Sequence, residues 1–215
     1  LAEYAERMPE GQEAIYFLAG PKLDVLRRSP HLEAFKEKGI EVLFLIDPVD
    51  EVWVGQGPIQ HGDLPFKSIG HGEVELGSDE EKEKAKEALE KDRENLGDLL
   101  SAMQSALEDR VKEVRLSSRL KSSPSCLVLE EGDLTPQLEA MLRQAGQEIP
   151  ARQPILELNP GHPVVEALAR RFETDATDPK IAKAARLLLG QATLAEGGQL
   201  EDPAAFGELV TELME

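Results

Sequence analysis

The sequence predicts an α+β protein, with a small three-layer αβα unit followed by a mixed α/β unit that ends in a helical bundle. Three observations carry this expectation. Two β-rich apolar runs, Ala14–Ala19 and Ile40–Ile46, flank a stretch with helical spacing, the pattern of a βαβ unit with a right-handed crossover. A second group of short apolar runs follows a long charged segment. From Gly161 to Glu215, apolar residues recur at offsets of three and four in three successive segments, as in amphipathic helices.

The elements follow in order. Leu1–Tyr4 reads as the middle of an element, and the chain as an excised piece of a longer one. Ala14–Ala19 is a buried strand ended by Gly20-Pro21. Leu23 and Leu26 share a helical face until Ser29-Pro30 breaks it. Leu32 and Phe35 open a second short helix that Gly39 closes. Ile40–Ile46 is nearly continuous in apolar residues and reads as a central strand buried on both faces. Asp47 and Pro48 start a helix carrying Val49, Val52 and Trp53. Leu64–Ile69 reads as an edge strand, where Pro65 is tolerated.

Gly70, Gly72 and Gly77 then loosen the chain, so the first unit is placed at residues 1–77 and the second at 78–215. Ser78-Asp79-Glu80-Glu81 opens a connecting helix over residues 78–109. Its first half alternates in charge, and its second half carries Leu96, Leu99, Leu100, Met103 and Leu107. Val111–Leu116, Cys126–Leu129 and Gln153–Leu158 are strands. Thr135 and Pro136 start a helix that Gly146 caps, with Leu134, Leu138, Met141 and Leu142 as its apolar stripe. His162–Phe172 is the next helix, and Asp178-Pro179 and Asp202-Pro203 start the last two.

Of 215 residues, 40% are hydrophobic but only 4% aromatic, so the core is aliphatic. The net charge of −18 repels phosphate, which argues against nucleic acid and against anionic membrane surfaces as partners. No apolar run approaches the roughly 20 residues of a membrane span. The single cysteine, Cys126, rules out an intrachain disulfide and fits a reducing, cytoplasmic setting. Within its apolar strand it reads as a small hydrophobe.

Candidate chemistry is sparse. No phosphate-binding glycine pattern is present. His31, His61, His71 and His162 are scattered. His61 and His71 flank one loop near Glu73 and Glu75, but without metal-ligand spacing. No catalytic, cofactor or metal site is expected. Two apolar sets remain. The stripe Ile181, Ala184, Ala185, Leu188 and Ala192, together with Phe206, Leu209, Val210 and Leu213, is read as a homodimer interface in which two helices from each chain form a bundle. Trp53 and the Leu134, Leu138, Met141, Leu142 stripe are candidates for exposed apolar surface, with ordinary core packing as the alternative.

Several segments resemble the ninety-kilodalton heat-shock chaperone family: Arg7–Phe17, Lys38–Glu51, Arg119–Cys126, Glu157–Pro163, and Leu200–Pro203 with Phe206. They run in family order over essentially the whole chain. The resemblance implies the end of a middle domain followed by a C-terminal dimerisation domain, with the last two helices forming the dimer. It implies client binding by the Thr135–Gly146 helix and by residues near Asp50, Glu51 and Trp53. It places ATP, magnesium and the catalytic arginine of the parent ATPase outside this chain. Ending at Met214-Glu215, without a Met-Glu-Glu-Val-Asp tail, the chain resembles the bacterial form. The expected function is that of a chaperone fragment that homodimerises and offers apolar surface to unfolded or partly folded proteins. The alternative is a purely structural dimerisation module.

Overall fold

A computed structural model describes residues 1–55, 57–148 and 153–214. It opens on a short helix, α1 (Ala2–Arg7), in the segment that the sequence marks only as the middle of an element. The Tyr4 side chain docks it. The phenol donates to the Glu41 carbonyl at 2.7 Å and accepts from the Tyr16 N–H at 3.2 Å.

Next come β1 (Ile15–Ala19), α2 (Leu23–Leu26), α3 (Glu33–Lys38) and β2 (Val42–Leu45), followed by α4 (Pro48–Val54), β3 (Gln60–His61) and β4 (Leu64–Ser68). The sheet order is β2-β1-β4-β3. β1 runs parallel to β2 and to β4, so the βαβ expectation holds. Two placements are corrected. β1, with four fully buried residues, is the inner strand, whereas β2 lies at the sheet edge and is only half-buried. β4 is not an edge strand, because β3 pairs along its start. Pro65 is tolerated there because it precedes the β1 ladder, whose register with β4 begins at Phe66.

α5 (Asp79–Leu107) begins with a capping box: the Ser78 hydroxyl accepts the Glu81 N–H, and the Glu81 carboxylate accepts the Ser78 N–H at 2.9 Å. Its acidic first turn suits the positive end of the helix dipole. Its second half buries Leu99, Leu100, Met103 and Leu107. The second sheet, β5 (Glu113–Leu116), β6 (Ser125–Val128) and β7 (Ile155–Leu158), has the order β5-β7-β6, with β7 parallel to β5 and antiparallel to β6. Between β6 and β7 lies α6 (Pro136–Gln144), capped by the Thr135 hydroxyl accepting the Leu138 N–H at 3.2 Å. α7 (Pro163–Thr174), α8 (Pro179–Ala195) and α9 (Pro203–Met214) complete the chain. His162, Asp178 and Asp202 each cap the helix that follows them.

Each buried hydrophobic cluster draws its residues from one side of residue 77. One gathers Ala14, Tyr16, Leu26, Phe35 and Ile69. A second gathers α5, β5, β7, α7 and α8, and a small third holds Leu120, Cys126, Val128 and Ile155. The contacts between the two stretches include a buried polar bridge. Arg119, fully buried, donates to the carbonyls of Ile69 and Gly72 in the first unit, and its Nε lies 2.9 Å from the Glu157 carboxylate in the second. Burial alone would raise the Glu157 carboxyl. The Arg119 charge, the Ser117 hydroxyl and Arg115 outweigh it and hold that carboxyl below its usual range.

Candidate polypeptide-binding groove and assembly face

Two apolar surfaces stand out. The first is a groove of about 650 Å³. One wall comes from the first unit, with Val54, Pro58, Pro65 and Phe66, and the other from the turn into α6 and α6 itself, with Leu134 and Leu138. Capping by Thr135 aims α6 across the groove toward α4, which it contacts. The Trp53 ring meets the Phe66 ring edge-on at a centroid distance of 5.4 Å and is still 41% exposed. That leaves a broad indole exposed beside Phe66, a residue that lines the trough.

The groove has one polar anchor. His71 Nε2 lies 3.1 Å from the Asp133 carbonyl, which can only accept, so this nitrogen carries the proton. Nδ1 then accepts from the Ser68 hydroxyl at 2.7 Å. Burial lowers the His71 pKa, so the imidazole is neutral near pH 7. The contact ties the two walls together without placing a charge between them. Lys67, Lys82, Glu73, Glu75, Glu131 and Asp133 also line the groove.

The sequence-derived binding residues separate in the structure. Leu134 and Leu138 line the groove, and Trp53 joins it through Phe66. Leu138 is also buried, so it supports the wall as much as it forms it. Met141 and Leu142 are half-buried farther along α6. The Glu51 side chain lies outside the described residues. Phe66, Pro65, Val54 and His71 were missed. Reading β4 as an edge strand hid the fact that its apolar face is a wall.

The second surface is α9 with its cleft against α8, about 1020 Å³ in volume. Here the expected dimer stripe divides between the two helices. Ile181, Ala184, Ala185, Leu188 and Ala192 are all buried within this single chain, in the same core as α5 and the second sheet. Their helical period recorded packing on their own domain. α9 differs. It carries Phe206, Leu209, Val210, Leu213 and Met214, yet it buries no residue fully, and Met214 is 82% exposed. The four interface residues expected on α9 are half-buried. α9 reaches α8 where Gly190 leaves room: a Cβ at that position would stand 2.6 Å from the Phe206 ring. Lys183 and Glu212 pair across the two helices at 2.6 Å.

Cys126 is fully buried, and desolvation pushes its thiol well up, as expected of a packed hydrophobe. His61 is exposed, and among the described residues no three His, Cys, Asp or Glu side chains converge as metal ligands would. The turn from β1 into α2 does not fit a nucleotide phosphate. Leu26 fills the space beside Gly20, to within 2.8 Å of a would-be Cβ, and α2 has only four residues. No helix among the described residues is long and apolar enough to cross a membrane.

The profile of the Hsp90 protein family matches residues 1–215. The chain is 50% identical over 219 residues to the chaperone protein HtpG of Nocardia farcinica, a match covering 99% of this chain and 33% of that protein. HtpG of Mycobacterium tuberculosis strain H37Rv is 50% identical over 214 residues, and HtpG of Geobacter sulfurreducens is 48% identical over 214. The chain thus spans about a third of the length of these relatives. The fold, the ordered segments and the full-length match together place it: the chain belongs to the Hsp90 protein family.

Proposed function

We propose that this chain is the part of a bacterial cytoplasmic chaperone that joins two copies and presents apolar surface to unfolded or partly folded proteins. The observation that carries the reading is α9, an apolar helix that buries no residue fully. Such a surface favours coverage by a partner. A second copy offering the same helix would complete a symmetric four-helix arrangement, with α8 supplying the scaffold and α9 the new contacts. The groove under Trp53 supports the client part of the reading. It is apolar, uncharged at its anchor and open at the rim. The adaptable Met141 and the rigid indole suit a loosely specified polypeptide. The net charge of −18 keeps such a surface soluble. ATP and magnesium binding are assigned to parts of the longer relatives that this chain does not match. Dimerisation would then raise the effective concentration of those parts for one another.

The test is fluorescence anisotropy with a labelled, permanently unfolded polypeptide. The native chain should bind it, and Trp53→Ser and Leu134→Ser should each weaken binding several-fold while circular dichroism stays unchanged. Absence of binding by the native chain would leave the purely structural dimerisation module.

A further inference from the structure

We propose that the segment Ser29–Glu33 is a coupling peg, through which the position of the first unit is transmitted to the turn that carries α9. This goes beyond the chaperone reading and requires neither a dimer nor a client.

The segment is a short 3₁₀ turn, Pro30–Leu32, begun by the Ser29 hydroxyl accepting the His31 N–H. It belongs to the first unit by sequence, yet Ser29, Pro30, His31 and Leu32 are all buried. His31 is only 2% exposed, and its Nε2 lies 3.2 Å from Oε1 of Glu196, the residue that ends α8. Two residues on, the Glu33 carboxylate holds the turn after β5. It accepts the backbone N–H groups of Lys121, Ser122 and Ser123, and the hydroxyls of Ser122 at 2.8 Å and Ser123 at 2.6 Å. Burial opposes the charge on Glu33, but these donors bring its pKa down to about 2. Beside the Glu196 contact, Gly197, in the left-handed region at φ +76°, sits against Val25 of the first unit, so close that a Cβ would stand 3.0 Å from that side chain.

One rigid turn therefore grips two distant places in the second unit, the 121–123 turn and the end of α8. The buried hydrophobic clusters do not cross the boundary, so these contacts, with those of Arg119 and His71, hold the units against one another. A shift at one grip must be accommodated at the other. From Glu196 the chain passes through Gly197 and Gly198 to α9.

Such coupling is reciprocal, which makes it testable by hydrogen exchange on this chain with Glu33→Gln and Glu196→Ala. The amides of 121–123 are bonded to Glu33, and those of Gly197 and Gly198 to the Leu194 and Thr193 carbonyls, so both grips are readable. Glu33→Gln should speed exchange at 121–123 about tenfold and at 197–200 at least threefold. Glu196→Ala should speed exchange at 121–123 at least threefold. Exchange in β1 and β7 should not change. The proposal is overturned if each variant loosens only its own grip, or if β1 and β7 lose protection equally. Should Glu33→Gln fail to fold, Glu196→Ala, at a half-exposed position, decides alone by the presence or absence of the rise at 121–123.

Discussion

α8 and α9 are neighbours in sequence with similar apolar period, but the structure uses them differently. α8 spends its stripe on the core of its own unit, with Ala185 and Ala192 at zero exposure. α9 rests on α8 through Phe206 and leaves the rest of its apolar face unfinished. Periodicity reports that a helix has an apolar side. It does not report which molecule covers that side. The difference lies in neighbours: α8 lies against α5 and β6, whereas α9 contacts chiefly α8.

The sharpest way to break this contrast is to place the same charge on each helix. Leu188→Glu buries an unpaired carboxylate in the core and should cost about 4 kcal/mol or more, seen as lost cooperativity in urea denaturation. Leu209→Glu, compared at a dilution where the parent has dissociated, should leave that transition within about 1 kcal/mol of the parent. If Leu188→Glu folds normally, α8 is not the scaffold proposed.

The joint between the units extends the comparison, since apolar cores contrast with a polar seam. Arg119→Met takes away one of the two arginines that hold the Glu157 carboxylate in a nearly dry site, leaving Arg115, and should cost roughly 2–3 kcal/mol in urea denaturation. An effect under 1 kcal/mol would show that the seam is solvated. Gly190→Ala puts a methyl group against the Phe206 ring and should cost about 1–3 kcal/mol. It should raise hydrogen exchange along α9 more than along α8.

Acid tests the seam more gently. Glu33 has its pKa lowered from 4.5 to about 2 on folding, so its contribution is complete above pH 4.5 and is lost as pH falls toward 2. The stability gap between the native chain and Glu33→Gln, from urea titrations, should be constant near pH 6–7 and shrink as the pH falls through that window. A gap that is the same at pH 3 as at pH 7 would refute the charged role of Glu33. The smallest effect on stability is expected at the groove rim. Trp53→Ser, at a side chain 41% exposed, should shift the urea midpoint by less than about 1 kcal/mol equivalent while weakening polypeptide binding.

Much of the fold was legible because local chemistry and global structure agree. Ser78, Thr135, Asp178 and Asp202 cap helices where the sequence placed them. What could not be read was adjacency. The run Ile40–Ile46 announced a strand, but a half-buried edge strand looks as apolar as an inner one. The groove was only half legible: the α6 stripe carried a helical period, whereas its opposite wall is a strand face at Pro65 and Phe66, too short to show one. The seam was hidden for a different reason. Glu33 and Ser122 are 89 residues apart, and nothing local to either marks the pairing. A weaker sign was present in Glu157, a charge within the fully buried strand Ile155–Leu158, where burial demands partners.

The most direct test of the account is sedimentation equilibrium of the chain across a dilution series, alongside Leu209→Glu. The account expects the native chain to be a dimer that dissociates on dilution and Leu209→Glu to be a folded monomer at every concentration. A native chain that stays monomeric throughout, or a Leu209→Glu chain that remains dimeric, would contradict it.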